Sequence, residues 1–480
     1  MLTLSGKLFT YFVSVFGGIG ILLFGYDQGS LGGLITGPHF TKLFRDPFPE
    51  ESKEIIVATI VAMFEVGAFF GSMICGWFAD RFGRLKAVLA GCIVLSVGAA
   101  MQSAAYELGL MISGRIVAGL GIGFLMTTLP ILQSELAPPA DRGTQECLQW
   151  VLNIFGVVVA YWLDYGFSFI EHEVQWRFPI AFQIFFALLL AIGTFILPES
   201  PRWLAAKGRD ADARVVLMKM HGGKIEGEEA ADKELSEIKE AIRIENLQGE
   251  PSWGEMFSSK GSNNLRRTVL AMGIQSMQQL CGINVIAYFQ VPVFLQAGLD
   301  NQTALLVAGI NTVFYFFSTF IPVYAIDRWG RRPMLIIGAA GQSICMTIIT
   351  IFLATSPTKA GYAVPAFVYL YTALFGAAWL SIAWIYPSEI FPTRTRAKGA
   401  GLATMANFFF NTLIGLCTLP LQKAMGAYLY VIFAVINFLM VFIIYFFYPE
   451  TKGKTLEEMD RVFMKDYPSN DEEKKQEYSA

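Results

Sequence analysis

The chain has 480 residues, of which 54% are hydrophobic and 16% are charged, whereas a soluble globular protein carries roughly a quarter of charged residues. So much apolar surface cannot be buried inside a water-soluble core, and this excludes an ordinary soluble domain. The formal net charge of -3, without a basic patch that is interleaved with aromatic residues, excludes a nucleic-acid-binding protein.

Long apolar segments recur along the chain, and each can cross a hydrocarbon layer of roughly 30 Å as a helix. We predict an all-α membrane protein with twelve transmembrane helices, over residues 8–34, 55–79, 86–104, 108–132, 145–166, 178–198, 268–297, 303–325, 333–354, 364–388, 398–421 and 427–448. Most Lys and Arg residues fall on one side of these spans, which predicts that both termini are cytosolic. The first apolar run is too long for a cleavable signal peptide and is predicted to be the first span.

The predicted spans divide the chain into four parts. Residues 1–200 and 268–449 are predicted to form an N-terminal and a C-terminal six-helix bundle. The polar stretch 201–267 shows helical periodicity and is predicted to form cytosolic linker helices, while 450–480 forms a cytosolic tail. The six cysteines lie in predicted spans and the three histidines lie in loops, so the sequence predicts no catalytic site and no metal site.

Short motifs recur at a spacing of about 250 residues, which indicates a structural repeat. The segment Asp80–Arg84 matches Asp327–Arg331. Two further matches are Glu135 and Arg142 with Glu389 and Arg396, and Glu199 with Glu450. A shift of six spans preserves orientation, so the repeats are parallel and a binding site is expected between them. All these motifs, with Arg202, lie on the predicted cytoplasmic face, where we expect pairing across the two bundles to lock an inner gate.

Four motifs together resemble the sugar porter family of the major facilitator superfamily. They are DRFGR at Asp80–Arg84, PESPR at Pro198–Arg202, QQLCGIN at Gln278–Asn284 and PETKG at Pro449–Gly453. The segments FGYDQG and YWLDYGFSF are most similar to those of fungal members, which include hexose, disaccharide and polyol carriers. The resemblance covers nearly the whole chain, and it implies the major facilitator fold and sugar transport by alternating access.

Ionisable residues inside predicted spans are costly and are therefore functional candidates. Asp27 and Arg115 both lie roughly 10 Å from the outer membrane edge, so we expect them to form a salt bridge. Protonation of Asp27 would release Arg115, which makes Asp27 a candidate coupling switch, and by resemblance proton symporters of the family carry Asp here. A purely structural ion pair is the alternative. Glu65 either joins the proton path or forms a hydrogen bond between helices, and Asp164 is predicted to be a solvent-exposed charge.

A polyhydroxylated solute needs side-chain amides, which both donate and accept hydrogen bonds, and aromatic faces. Such amides cluster near the middle of two predicted spans: Gln278, Gln279, Asn284, Asn407 and Asn411. Gly282 is predicted to allow a break in the helix that carries the first three. We therefore predict a solute site between spans seven and eleven.

The resemblance implies further roles for residues near this site. It implies that Trp384 and the amides of Gln278, Gln279, Asn284 and Asn411 contact the sugar. It also implies that Tyr288 and Phe289 form an outer gate.

Three departures from the family pattern affect the predicted pocket. The sugar-binding Gln position of span five falls on Trp150, with Gln149 one residue earlier, and the usual Asn position of span eight falls near Tyr315. On span ten, AAWLSIA at Ala377–Ala383 replaces the usual Gly and Pro residues. Either Gln149 reaches the pocket by a helix distortion or the pocket is partly reshaped, and Gln149 is retained as a candidate ligand.

From these residues we predict a proton-coupled sugar symporter that takes up a monosaccharide, with hexose as the expected substrate. It is expected to work as a monomer in the plasma membrane, with the proton as coupling ion and no other cofactor. A sugar facilitator without coupling, and a proton symporter of a polyol or disaccharide, are the alternatives. A nutrient sensor of the same fold is disfavoured by the short tail, and an enzyme is disfavoured because no nucleophile and base can be paired.

Overall fold

The computed structural model describes residues 6–136, 142–222, 225–248, 252–259, 263–355, 361–392, 394–454 and 456–463, and these residues contain helices and no β-strand. The first half of the chain contains seven helices: α1 (Lys7–Leu34), α2 (Pro38–Phe44), α3 (Lys53–Phe82), α4 (Arg84–Ser103), α5 (Leu108–Leu136), α6 (Arg142–Phe167) and α7 (Val174–Thr194). The described residues of the segment between the halves form four helices: α8 (Pro201–Ala206), α9 (Asp210–Met220), α10 (Ile225–Gln248) and α11 (Trp253–Met256).

The second half is also helical. Its helices are α12 (Asn264–Leu280), α13 (Ile283–Gln296), α14 (Asn301–Ser318), α15 (Phe320–Trp329), α16 (Arg331–Thr355), α17 (Ala363–Leu374), α18 (Leu380–Ile390), α19 (Arg396–Met425), α20 (Leu429–Phe447) and α21 (Leu456–Phe463). A π-helical turn over Phe375–Trp379 joins α17 to α18, and a short 3₁₀ turn over Gly426–Tyr428 joins α19 to α20.

The prediction of an all-α membrane protein is confirmed for the described residues. Eleven helical stretches are long and apolar enough to cross a membrane, and the last of them, Lys398–Phe447, contains both α19 and α20. Three crossings are built from paired helices: α12 with α13, α14 with α15, and α17 with α18. The described helices therefore supply the twelve predicted crossings, while α2 is an additional short helix in a predicted loop.

The crossing built from α12 and α13 is broken where the sequence demands it. Gly282 has a φ of 98°, a left-handed conformation that glycine adopts without penalty, so the predicted break is confirmed. Pro292 has no N–H to donate to the carbonyl of Tyr288, four residues earlier, and the helix is kinked at Phe289. These two irregularities bring the predicted gate residues close to the predicted solute site.

The two halves meet along four pairs of crossings: α1 with α13, α3 with α19, α6 with α14, and α6 with α18. Helices α8 and α9 pack against the first half, through α5 and α1, while α11 and α21 pack against α12 and α18 of the second half. We call the membrane face that carries these short helices the inner face and the opposite one the outer face. A site between α1, α6, α13, α14, α18 and α19 consequently touches both halves.

Candidate functional site

A cavity of about 60 Å³ lies between the two halves. Since a cavity needs roughly 10–15 Å³ to admit a single water, this one has room for a few waters and is too small for a hexose. The first half contributes six lining residues from α1 and α6: Phe24, Gln28, Trp150, Asn153, Ile154 and Val157. The second half contributes most of the polar lining, so most hydrogen bonds to a solute would come from that half. Because of its small volume, the cavity must also widen before a sugar binds.

Five of the predicted ligands form one hydrogen-bonded amide network. Gln279 donates to Asn407 at 2.9 Å, and Asn407 donates to Gln278 at 2.9 Å. Asn284 donates to Gln279 and also, at 2.6 Å, to Asn411. Gln278, Gln279, Asn284 and Asn407 line the cavity, whereas Asn411 lies behind Asn284 and joins the network only through hydrogen bonds. Because these amides already bond to one another, solute hydroxyls would exchange with existing bonds.

Helix irregularities explain why two glutamines point toward α18. Gln278 donates to the carbonyls of Trp379 and Leu380, both at 3.1 Å, at the end of the π-helical turn. Pro387 has no N–H for the carbonyl of Ala383, and Gln275 donates to that carbonyl at 3.0 Å. Gln275 thus satisfies a carbonyl that Pro387 leaves without its helical donor, and Gln278 adds bonds to two carbonyls beside the π-helical turn.

A second polar group in the cavity escaped the sequence analysis. Asn311 donates to Gln290 at 2.9 Å and accepts from the hydroxyl of Thr372 at 2.8 Å, and all three residues line the cavity. The signal was present, because Gln290 and Asn311 are amides inside apolar helices. Gln28 was missed in the same way.

Two tryptophans narrow the cavity toward the inner face. The rings of Trp150 and Trp384 lie 4.8 Å apart, tilted by 30°, and join α6 of the first half to α18 of the second. Tyr315 lines the cavity from α14. Gln149 is not among the cavity-lining residues, since its side chain is buried and donates to Gln133 of α5. The expectation that a distorted helix brings Gln149 into the pocket was wrong, because α6 is regular and turns Trp150 inward.

Asp27 and Arg115 form a buried ion pair beside the cavity. Their side chains are 1% and 2% exposed, and one guanidinium nitrogen of Arg115 bonds both carboxylate oxygens of Asp27, at 2.8 and 2.9 Å. The other two nitrogens donate to the carbonyls of Ile60 and Val61 in α3, at 3.1 and 3.3 Å. The guanidinium also lies 4.4 Å from the centroid of the Phe64 ring. Arg115 therefore ties α1, α3 and α5 together, and its bond to α1 is an ion pair only while Asp27 is ionised.

Glu65 links the first half to the predicted gate. The Tyr288 hydroxyl donates to one Glu65 carboxylate oxygen at 2.8 Å and lies 3.4 Å from the Asn411 carbonyl oxygen. The other Glu65 oxygen is buried without a partner among the described residues. Tyr288 and Phe289 are buried in an apolar cluster with Leu31, Leu34 and Leu419, which closes the outer end of the cavity.

The inner face carries two matching charge clusters, one in each half. In the first, Arg84 bonds Glu135 at 3.2 Å and Asp80 at 3.1 Å, while Glu199 accepts from the backbone N–H of Arg84 at 3.0 Å. Glu199 thereby caps the first turn of α4, where the helix dipole favours a negative charge.

The second cluster repeats this geometry. Arg331 bonds Glu389 at 2.6 Å and Asp327 at 2.9 Å, and Glu450 accepts from the backbone N–H of Arg331 at 3.0 Å. Arg84 and Arg331 bond these acids within their own halves in this conformation, and a lock formed across the two bundles stays a prediction. Arg202 in α8 and Arg396 in α19 are half-buried, and the Arg142 side chain lies outside the described residues.

Asp164 is buried, contrary to the prediction of a surface charge. Its side chain is 2% exposed, at the outer end of α6 against α1. The position of Asp164 near the end of its predicted span suggested contact with solvent, but α1 extends to the same depth and covers the Asp164 side chain.

Comparisons with known proteins agree with this geometry. Residues 11–463 match the family described as "Sugar (and other) transporter". The chain is 35% identical to the MFS-type transporter oryC of Aspergillus oryzae, over 96% of this chain and 86% of that one, and 34% identical to the Sugar transporter STL1 of Saccharomyces cerevisiae, over 97% and 83%.

Among solved structures, the proton:xylose symporter XylE of E. coli, bound to 6-bromo-6-deoxy-D-glucose, superposes with a TM-score of 0.80. It is 25% identical and covers 95% of this chain and 99% of its own. The predicted major facilitator fold and the resemblance to sugar porters are thereby confirmed. This chain belongs to the sugar transporter family of the major facilitator superfamily, a family of membrane transporters rather than of enzymes.

Proposed function

We propose that this protein is a proton-coupled symporter that takes up a sugar by alternating access, with a monosaccharide such as a hexose as the expected substrate. The observation that carries the proposal is the buried Asp27–Arg115 pair beside an amide-lined cavity between two halves. An arginine buried to 2% exposure is tolerated because its partner is charged, so a proton on Asp27 changes how α1, α3 and α5 are held together.

The proposed cycle connects this pair to the outer gate. Arg115 bonds the carbonyls of Ile60 and Val61, and Glu65 follows about one turn later on α3 and accepts from Tyr288. A change at Asp27 is therefore transmitted through α3 to a residue of the gate. The amide network starts from the same gate, because Tyr288 and Asn284 both approach Asn411.

The likeness to XylE, whose structure is that of a proton:xylose symporter, supports coupling by a proton. We further propose that the chain works as a monomer in the plasma membrane. Both termini are cytosolic in this proposal, because the basic residues concentrate near the inner face. The four parts of the chain, at 1–200, 201–267, 268–449 and 450–480, correspond in this proposal to two transport bundles, a linker and a tail.

A second candidate substrate is a polyol, which is favoured by one observation. Trp150 stands where an amide was expected and stacks on Trp384, and Tyr315 stands at the other amide position. These aromatic rings narrow the cavity, and the first half contributes few polar groups to its lining. Both features suit a slender solute.

The test is uptake of radiolabelled hexoses, pentoses, disaccharides and polyols into cells that lack endogenous carriers, with and without a protonophore. Accumulation of one solute that collapses with the protonophore supports symport and identifies the substrate. Uptake that equilibrates and ignores the protonophore would make the protein a facilitator. Accumulation of polyols alone would replace the monosaccharide by the second candidate.

A further inference from the structure

Asp164 is a buried acid that the proposed cycle does not use. Asp164 is 2% exposed, and neither carboxylate oxygen accepts a hydrogen bond from another side chain among the residues that the structure describes; the backbone of Gly33 is the polar group that approaches the carboxylate. Asp27, by contrast, is bonded by Arg115 through both oxygens. An ionised carboxylate that is buried in a membrane protein without a cation is strongly disfavoured, so the neutral acid is the form that fits this environment.

Two consecutive glycines of α1 make room for two side chains of α6. A Cβ at Gly33 would lie 2.7 Å from a carboxylate oxygen of Asp164, and a Cβ at Gly32 would lie 1.9 Å from the hydroxyl of Tyr161. Tyr161 and Asp164 are three residues apart and share one helix face. Both side chains therefore pack tightly against the outer part of α1.

Tyr161 connects this face to the gate. Its hydroxyl donates to the carbonyl of Ala287 at 2.8 Å, on α13 and directly before Tyr288. Asp164 consequently lies one turn further out than a contact between α6 and the gate helix. Among the described residues, the ionisable groups that interact with Asp164 are Tyr26, on α1, and Tyr161, on its own helix, and neither supplies a positive charge.

We propose that Asp164 is a second proton-binding site, which takes a proton from the outer solution when the gate is open and must hold it for the gate to close. This inference rests on the proposed alternating access. In the open state α13 moves away from Tyr161, and water reaches the carboxylate and protonates it. Closure then buries the neutral acid, and reopening returns the proton to the same side. Asp164 therefore makes closure depend on external pH without adding to the protons that cross with each solute.

The first test needs no transport. The purified protein is examined by infrared spectroscopy for the C=O stretch of a protonated carboxyl group, in the parent, in Asp164→Asn and in Tyr161→Phe, which keeps the acid. We expect at neutral pH a band that Asp164→Asn abolishes and Tyr161→Phe retains, and slow exchange of its proton with D₂O that Tyr288→Ala accelerates. An identical band in the parent and in Asp164→Asn would overturn the proposal.

The second test measures uptake against external pH. Because Asp27 also takes up an external proton, kcat/KM of the parent falls by up to about a hundredfold for each pH unit on the alkaline side if closure also requires a proton on Asp164, and Asp164→Asn reduces this fall to about tenfold. Solute accumulation remains, because Asp27 still couples the cycle. A carboxyl band that belongs to Asp164, combined with an unchanged pH profile in Asp164→Asn, would make the proton merely structural and refute the proposal. Parent uptake that ignores a protonophore would refute proton coupling instead, and the infrared result would still decide on Asp164.

Discussion

Replacing Asp27 by Asn tests the coupling proposal directly, because the side chain keeps its size and loses its charge. One proton that moves through about 100 mV supplies about 2.3 kcal/mol. Since about 1.4 kcal/mol corresponds to a tenfold ratio, the parent should accumulate solute about 40- to 50-fold at that potential. In Asp27→Asn the proton has no binding site in the pair, so we expect the accumulation ratio to fall to about one.

The same substitution should leave exchange measurable while it weakens the fold. Removing one partner of a buried ion pair costs about 3–5 kcal/mol, because the other charge remains buried. Arg115 keeps its bonds to the carbonyls of Ile60 and Val61, so the loss should lie at the lower end of that range. The thermal midpoint of the purified variant should therefore fall, while counterflow of labelled solute between equal concentrations continues.

The assay uses proteoliposomes with an imposed proton gradient and compares accumulation with counterflow in each variant. Asp232→Asn is the matched control, because Asp232 pairs with Arg214 on exposed linker helices and should leave accumulation unchanged. Accumulation by Asp27→Asn to the level of the parent would refute the role of Asp27 as the coupling site.

Three further substitutions test the gate, the pocket and the inner clusters. Tyr288→Phe removes the hydroxyl that bonds Glu65, and a hydrogen bond to an acidic group is worth about 1.5–3 kcal/mol. The outer gate should therefore open more often, and a membrane-impermeant thiol reagent should modify an added Leu34→Cys at least tenfold faster. An unchanged rate of modification contradicts the role of Tyr288 in the gate. Trp150→Gln removes the aromatic contact with Trp384, worth about 0.5–1.5 kcal/mol, and should raise the ratio of hexose to polyol uptake several-fold. An equal ratio in the parent and the variant contradicts a role of Trp150 in specificity. Arg331→Gln leaves Glu389 without its cation and should lower the thermal midpoint of unfolding. Arg214→Gln is the control, because Arg214 belongs to an exposed pair, and it should leave the midpoint unchanged. Equal midpoints in the two variants contradict a stabilising role of the second inner cluster.

The charge clusters of the inner face show what a repeat in the sequence can predict about structure and what it cannot. The matched motifs correctly indicated two equivalent arrangements, because the same residue types at the same spacing build the same local geometry. They did not indicate that each arginine bonds within its own half. That choice depends on how far apart the two halves stand, which is a property of the conformation and not of either motif.

Asp164 and Gln149 illustrate a second limit. Depth along a helix can be counted from the sequence, so the equal depths of Asp27 and Arg115 predicted a contact that the structure contains. The direction in which a side chain points depends on its rotation about the helix axis and on what covers it. Gln149 faces α5, Trp150 faces the cavity one residue later, and α1 covers Asp164.

The sequence by itself determined the membrane location, the helical crossings, the repeat and the family, because these depend on apolar length, periodicity and local motifs. It also indicated the break at Gly282 and the amides near mid-membrane. Only the tertiary structure decided which amides line one cavity, that Tyr288 meets Glu65 across the two halves, and that an acid at a helix end is buried. Those properties arise where helices distant in the chain pack together, as where α1 approaches α6 closely at Gly33 and buries Asp164.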